Sequence, residues 1–175
     1  MTTPLSLQIA SPLRRRCSAA LVGAALVALV VFSATIATSA TAARTKSAKT
    51  LVVSTRKLPR LGTVLVNGKG LTLYMFVPDK RRKVTCVSTC AAVWPPLKRP
   101  AHGKLVAKGA VKSRLLGSDR DPAGGRVVTY HGWPLYTYIA DKTPGMATGQ
   151  AINLNGGLWY VLAPSGKVIK TKPAK

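Results

Sequence analysis

The sequence predicts an all-β domain of two tandem, hairpin-containing repeats, sandwich-like or barrel-like, preceded by an N-terminal signal helix. Three observations carry that expectation. Apolar and polar residues alternate on both sides of turn signals at Asn67-Gly68, Gly132 and Ser165-Gly166. Only one short stretch, CVSTCAAVW, is compatible with a helical turn, and it carries Cys86 and Cys90. A group of residues recurs at a constant spacing of 62.

Residues 1–43 read as an export address rather than part of the fold. Arg14, Arg15 and Arg16 precede an apolar run from Ala19 to Phe32, and a small-residue segment follows through Ala40, Thr41 and Ala42. These are the three parts of a signal peptide, with cleavage expected at Ala42 or Ala43. The alternative is an uncleaved anchor, because the run extended to Ala37 approaches a bilayer span, with Ser33 and Thr35 diluting its end. Removing this segment leaves about 132 residues with a net charge of about +20, a field that attracts polyanions. Cys17 leaves with it. Cys86 and Cys90 remain, and an even count in an exported chain points to one disulfide.

Residues 44–60 are small, polar and basic, and are expected to form a linker in which only Leu51, Val52 and Val53 favour a strand. The β domain is expected over residues 61–170. Its first repeat covers about 61–98, with strands at 62–66 and 71–76 flanking Asn67-Gly68. The helical turn at Cys86–Trp94 should stop at Pro95-Pro96, since proline cannot continue a helix. Residues 103–126 are rich in Lys and Gly, with a weak strand at 104–106 and a turn at Asp121 to Gly125. The second repeat covers about 126–170, with hairpins around Gly132 and Ser165-Gly166. Residues 171–175 are expected to be a disordered tail.

The repeat is defined by six residues. Gly70, Leu73, Tyr74, Phe76, Asp79 and Lys80 superpose on Gly132, Leu135, Tyr136, Tyr138, Asp141 and Lys142, and each copy is followed by a tryptophan, Trp94 or Trp159. Two of only four acidic residues occupy this motif. A carboxylate just after a strand can accept backbone N–H bonds in a turn, so a structural role is expected for Asp79 and Asp141, while the alternating aromatics face one side of the sheet.

The segments YMFVPD, YTYIAD and CVSTCAAVWPPL resemble a bacterial family of secreted repeats named for its Tyr-x4-Asp motif and also described as predicted lipoproteins. The resemblance spans about residues 61–169. It implies an exported or cell-envelope protein with a small β domain and brings no biochemical activity with it. This chain departs from the lipoprotein version, having no cysteine at the cleavage site that follows its apolar run.

Candidate chemistry is sparse. Cys86 and Cys90 are expected to form a structural disulfide, with a redox pair as the alternative. A Cys86, Cys90, His102, His131 metal set is the weaker option, because only the cysteines have useful spacing. There is no Glu and no Gly-x-Ser-x-Gly elbow. Asp79 and Asp141 facing each other as a glycosidase pair is the remaining catalytic option, and a turn-forming role suffices for each. The expectation is therefore a non-enzymatic domain without a cofactor. Its basic clusters Lys80, Arg81, Arg82, Lys83, Lys98 and Arg99 are the candidates for contact with an anionic envelope polymer or membrane surface. No nucleic-acid-binding motif points to a dedicated partner of that kind.

Overall fold

The computed structural model describes residues 49–172; the expected signal segment lies outside them. The described residues form ten strands, one short α-helix and two 3-10 turns. Strands β1 (Thr50–Leu58) and β2 (Gly62–Asn67) are antiparallel, and β4 (Lys104–Ala107) adds parallel to β1. Strand β9 (Gly157–Leu162) pairs antiparallel with β3 (Tyr74–Phe76), β8 (Asn153–Leu154) and β10 (Val168–Ile169). Strands β5 (Leu116–Arg120), β6 (Arg126–Tyr130) and β7 (Trp133–Pro134) form an antiparallel meander. Helix α1 (Thr89–Val93) ends at Trp94, before Pro95-Pro96, as the prolines require. Among the described residues no helix is long and apolar enough to cross a membrane.

The side-chain period of two divides the interior into two clusters. Tyr74, Phe76, Val64, Val66, Tyr136 and Val161 lie in one, with Trp94 and Trp159. Their chain neighbours Leu73, Met75, Leu65, Leu135 and Leu162 lie in the other, with Val53, Val128 and Tyr130. The central strands are thus buried on both faces. This explains the uninterrupted apolar runs VLV and LYMF, where a half-exposed strand would alternate.

Three expectations change. Residues 50–58, assigned to the linker, form β1: Val53 is fully buried, the strand is paired on both edges, and its exposed cations Arg56 and Lys57 gave the segment its soluble look. The second repeat likewise starts one strand early, at β5, whose LGSDR sequence has little intrinsic preference for a strand and is held by pairing with β6. Finally, the arm after Asn67 does not run on as a simple hairpin. Asn67 N–H to Leu71 O at 2.9 Å, Leu73 N–H to Leu65 O at 3.0 Å and the Val66–Thr72 bridge tie it to β2 before it crosses to β9.

The turns follow local chemistry. The Asn67 side chain accepts the Lys69 and Leu71 amides at 2.9 and 3.0 Å, and Gly70 takes the left-handed conformation that closes a three-residue loop. His131 and Gly132, both at positive φ, make a two-residue turn between β6 and β7. Asn155-Gly156 does the same between β8 and β9, a hairpin whose signal stands in the sequence and was not among the expected elements. The expected tail begins with Thr171, whose carbonyl accepts from the Gln150 side chain at 2.9 Å.

Candidate functional site

The two motif copies meet at the centre of the domain. Tyr74 and Tyr136 bridge antiparallel through both backbone bonds, N–H to O distances being 2.9 and 3.0 Å. Val161 pairs on the far side of Tyr74, and Pro96 on the far side of Tyr136. The repeats are therefore related by an approximate twofold axis through this bridge.

The side chains cross that axis. The Tyr74 hydroxyl donates to Asp141 Oδ2 at 2.6 Å, and the Tyr136 hydroxyl donates to Asp79 Oδ2 at 2.6 Å. Each second carboxylate oxygen stays within its own repeat. Asp79 Oδ1 accepts the Thr85 amide and hydroxyl, both at 2.7 Å; Asp141 Oδ1 accepts the Thr148 amide at 3.0 Å and hydroxyl at 2.6 Å. A 3-10 turn at Val77–Asp79, with Pro78 fixing its start, swings Asp79 inward after β3.

Four aromatic rings stack through the same axis, drawn alternately from the two repeats. Phe76 lies on Trp159 at 4.2 Å, Trp159 on Trp94 at 3.9 Å with 4° between planes, and Trp94 on Tyr138 at 4.1 Å. Tyr74 and Tyr136 pack edge-on against Trp94 and Trp159 respectively. A Cβ at Gly149 would lie 2.6 Å from the Trp94 ring, so only glycine lets the backbone pass there.

Burial decides what this centre can do. Tyr74, Tyr136 and Asp79 have no exposed surface and Asp141 has 3%. Burial, reinforced by the partner carboxylates, pushes both tyrosine hydroxyls well above their ordinary range. Burial also raises the Asp79 carboxyl, against the opposing effect of its Thr85 and Tyr136 hydrogen bonds. Each carboxylate is filled by three donors and closed to solvent, which leaves no approach for a sugar or a hydrolytic water between them. The arrangement ties the two repeats together.

Cys86 and Cys90 form a disulfide with Cα atoms 5.2 Å apart, clamping α1 onto the cluster that holds Trp94. Both thiols are thereby removed from metal ligation. His102 sits in an exposed turn and His131 on the β6–β7 turn, and no group of three metal-ligating side chains occurs among the described residues.

The basic residues gather elsewhere. Arg81 and Arg82, on the exposed loop after Asp79, join Arg114, Arg126, His131 and Asp119 around a cleft of about 540 Å³. Arg126 is braced by Ser118, donating from Nε to its Oγ at 2.8 Å and from a terminal nitrogen to its carbonyl. The aliphatic stem of Arg81 lies over the Gly132 turn, and the Arg82 amide donates to Gly132 O at 2.8 Å. Of the other expected candidates, Lys80 and Lys83 are exposed on the same loop but do not line the cleft. Lys98 is paired with Asp121 and donates to Gly124 O at 2.9 Å, and Arg99 reaches Ser118 Oγ at 3.3 Å. Arg114 and Arg126 were not foreseen, since they lie far from Arg81 in sequence and only the exchange of loops between repeats unites them.

The twofold relation gives this cleft a counterpart. Asn67 to Gly70 correspond to Thr129 to Gly132, and they line a second hollow of about 410 Å³ with Arg56, Lys69 and Lys108. The loop of repeat 2 covers Gly70 through Pro144, as the loop of repeat 1 covers Gly132 through Arg81.

The sequence matches a protein family described as a secreted repeat of unknown function over residues 55–98 and again over residues 118–163. Both matched segments begin within the strand that precedes each expected repeat. No curated protein and no solved structure matches the chain.

Proposed function

The chain belongs to the family of secreted repeats of unknown function, and from that premise we propose that it is an exported, non-enzymatic domain whose basic surface holds anionic polymers of the cell envelope. One observation carries this reading: the acidic residues leave the positive charge almost wholly unneutralised. Twenty-seven Lys and Arg face four Asp. Two of those, Asp79 and Asp141, are buried on tyrosine and threonine donors, and Lys98–Asp121 is the one ion pair among the described residues. A surface of one sign attracts polyanions over about a Debye length, roughly 10 Å at 0.1 M salt.

An envelope polymer suits this surface better than a bilayer. Among the described residues the large apolar side chains with substantial exposure are Val77, Ile139, Leu154 and Leu158, and none of them lines either basic cleft. Insertion into lipid would need such residues beside the cations. The test is retention of the exported protein on purified anionic wall polymer across a salt series. Affinity should fall steeply as ionic strength rises; absent or salt-independent retention would remove the proposal.

A further inference from the structure

Building on that reading, we infer that the cleft between the two repeats, lined by Arg81, Arg82, Arg114 and Arg126, is a binding site for the phosphodiester groups of an anionic polymer. Its counterpart around Arg56, Lys69 and Lys108 forms a second, weaker contact for the same polymer.

The cleft has the properties of a site rather than of a generally basic face. Its cations come from three places in the sequence, and two are held in position: Arg126 by Ser118, and Arg81 by its stem over Gly132. The Arg82 backbone is tied to Gly132 O, and Arg82 and His131 occupy the left-handed region that these turns impose. Guanidinium groups match the oxygens of a phosphate, Arg126 with the N–H groups that Ser118 leaves over, and arginine keeps its charge at any physiological pH. None of the four is ion-paired among the described residues, so an incoming anion displaces no carboxylate.

The lining also narrows the ligand. It contains no Trp, Tyr or Phe, which leaves His131 as its one ring for stacking nucleobases. It does contain Ser118, Thr129 and the Asp119 carboxylate, one of whose oxygens is buried without a hydrogen-bond partner. Such groups suit a hydroxylated backbone between phosphates. A phosphodiester of a polyol or sugar therefore fits better than a nucleic acid or a lipid headgroup.

Two basic clefts related by the twofold axis add a consequence of valency. A chain with repeated phosphates can engage both, and the second contact is then intramolecular, which raises affinity without any new chemistry.

The test compares four probes on the exported protein by calorimetry or fluorescence anisotropy: a glycerol-phosphate oligomer, poly-glutamate of equal charge, single-stranded DNA of equal charge, and anionic lipid vesicles. The oligomer should bind saturably and most tightly. Arg114→Gln, on an exposed residue without a side-chain partner, should weaken it about tenfold, as expected for a charge-assisted fork. Lys170→Gln, which removes the same charge outside both clefts, should change it little, and both variants should melt like the parent. Equal binding of poly-glutamate, equal loss from the two variants, or tighter binding to DNA or vesicles would each overturn the inference. If the polyanions all bind alike with a steep salt dependence, the broader proposal stands and the cleft assignment fails; if none binds, both fail.

Discussion

The hydroxyl of Tyr74 is bonded to Asp141, not to the aspartate of its own motif. The two lie 67 positions apart in the chain and 2.6 Å apart in space, and the Tyr136–Asp79 bond reproduces the arrangement across the twofold axis at the same distance. The motif spacing within each repeat does not bring its own tyrosine and aspartate together. It equips each copy to complete the other.

This exchange predicts which pairs are energetically coupled. Tyr136→Phe leaves Asp79 short of one donor in a buried setting and should destabilise the fold by about 2–3 kcal/mol. In double-mutant cycles by urea unfolding, Tyr136→Phe should couple to Asp79→Asn by about 1 kcal/mol or more and to Asp141→Asn much less. Coupling within each motif instead of between motifs would contradict the exchanged arrangement.

Alkaline pH should unfold the domain through the same hydroxyls. Their pKa is raised in the folded state, so the stability they contribute is complete below the ordinary tyrosine value of about 10 and is lost as pH climbs above it, because only the unfolded chain releases the proton. Melting temperature should fall more steeply above that value in the parent than in the Tyr74→Phe, Tyr136→Phe double variant. Parallel curves would refute the assignment.

Asp79 should act in the sense opposite to a salt-bridged carboxylate. Its folded pKa is raised, so its stabilising effect is complete below the unfolded value of about 4 and declines as pH rises through the higher folded value. Asp79→Asn should remove that segment of the stability profile. A parent profile whose stability instead rises with pH through this window, relative to Asp79→Asn, would show the hydrogen bonds outweighing burial.

The stacked tryptophans supply a spectroscopic signature. Two indoles 3.9 Å apart and nearly parallel share their excitations, so the folded protein should show an exciton couplet in far-ultraviolet circular dichroism. Trp94→Phe should abolish the couplet while retaining most of the fold, and Trp94→Ala should cost about 3–5 kcal/mol by emptying a filled core position. An unchanged spectrum in Trp94→Phe would mean that the rings do not stack in solution.

Reduction should loosen the domain without unfolding it. Cys86–Cys90 closes a loop of few residues, for which chain entropy gives about 2 kcal/mol, while the two large clusters do not depend on it. Cys86→Ala with Cys90→Ala should lower the melting temperature and preserve the tyrosine–aspartate network, visible as retained near-ultraviolet dichroism.

The elements were readable where local chemistry decides them. The Gly132 and Ser165-Gly166 hairpins, the turn at Cys86–Trp94 and the repeat itself rest on turn residues, prolines and a fixed spacing, which act over a few positions. Strand β1 and strand β5 were missed for the converse reason. Their residues are basic, small or polar, and they become strands through the partners on their edges, which no window of sequence contains. The same limit applies to the sites. That Asp79 accepts a backbone N–H in the turn after its strand was inferable from the motif, whereas the exchange of partners was not, because a repeat that closes on itself and one that closes on its twin have identical spacing. Arg114 and Arg126 give no local cue either, since a loop of one repeat must fold over a turn of the other before they share a cleft.

Because each copy borrows its neighbour's carboxylate and interleaves its rings with those of its neighbour, a polypeptide holding just one copy would be left with open valences on one side. Two such half-length molecules could satisfy each other by the very contacts that now join the halves of a single chain. The present protein thus has the internal symmetry expected of a fused homodimer, and a split gene expressed as two fragments should reassemble without a covalent link.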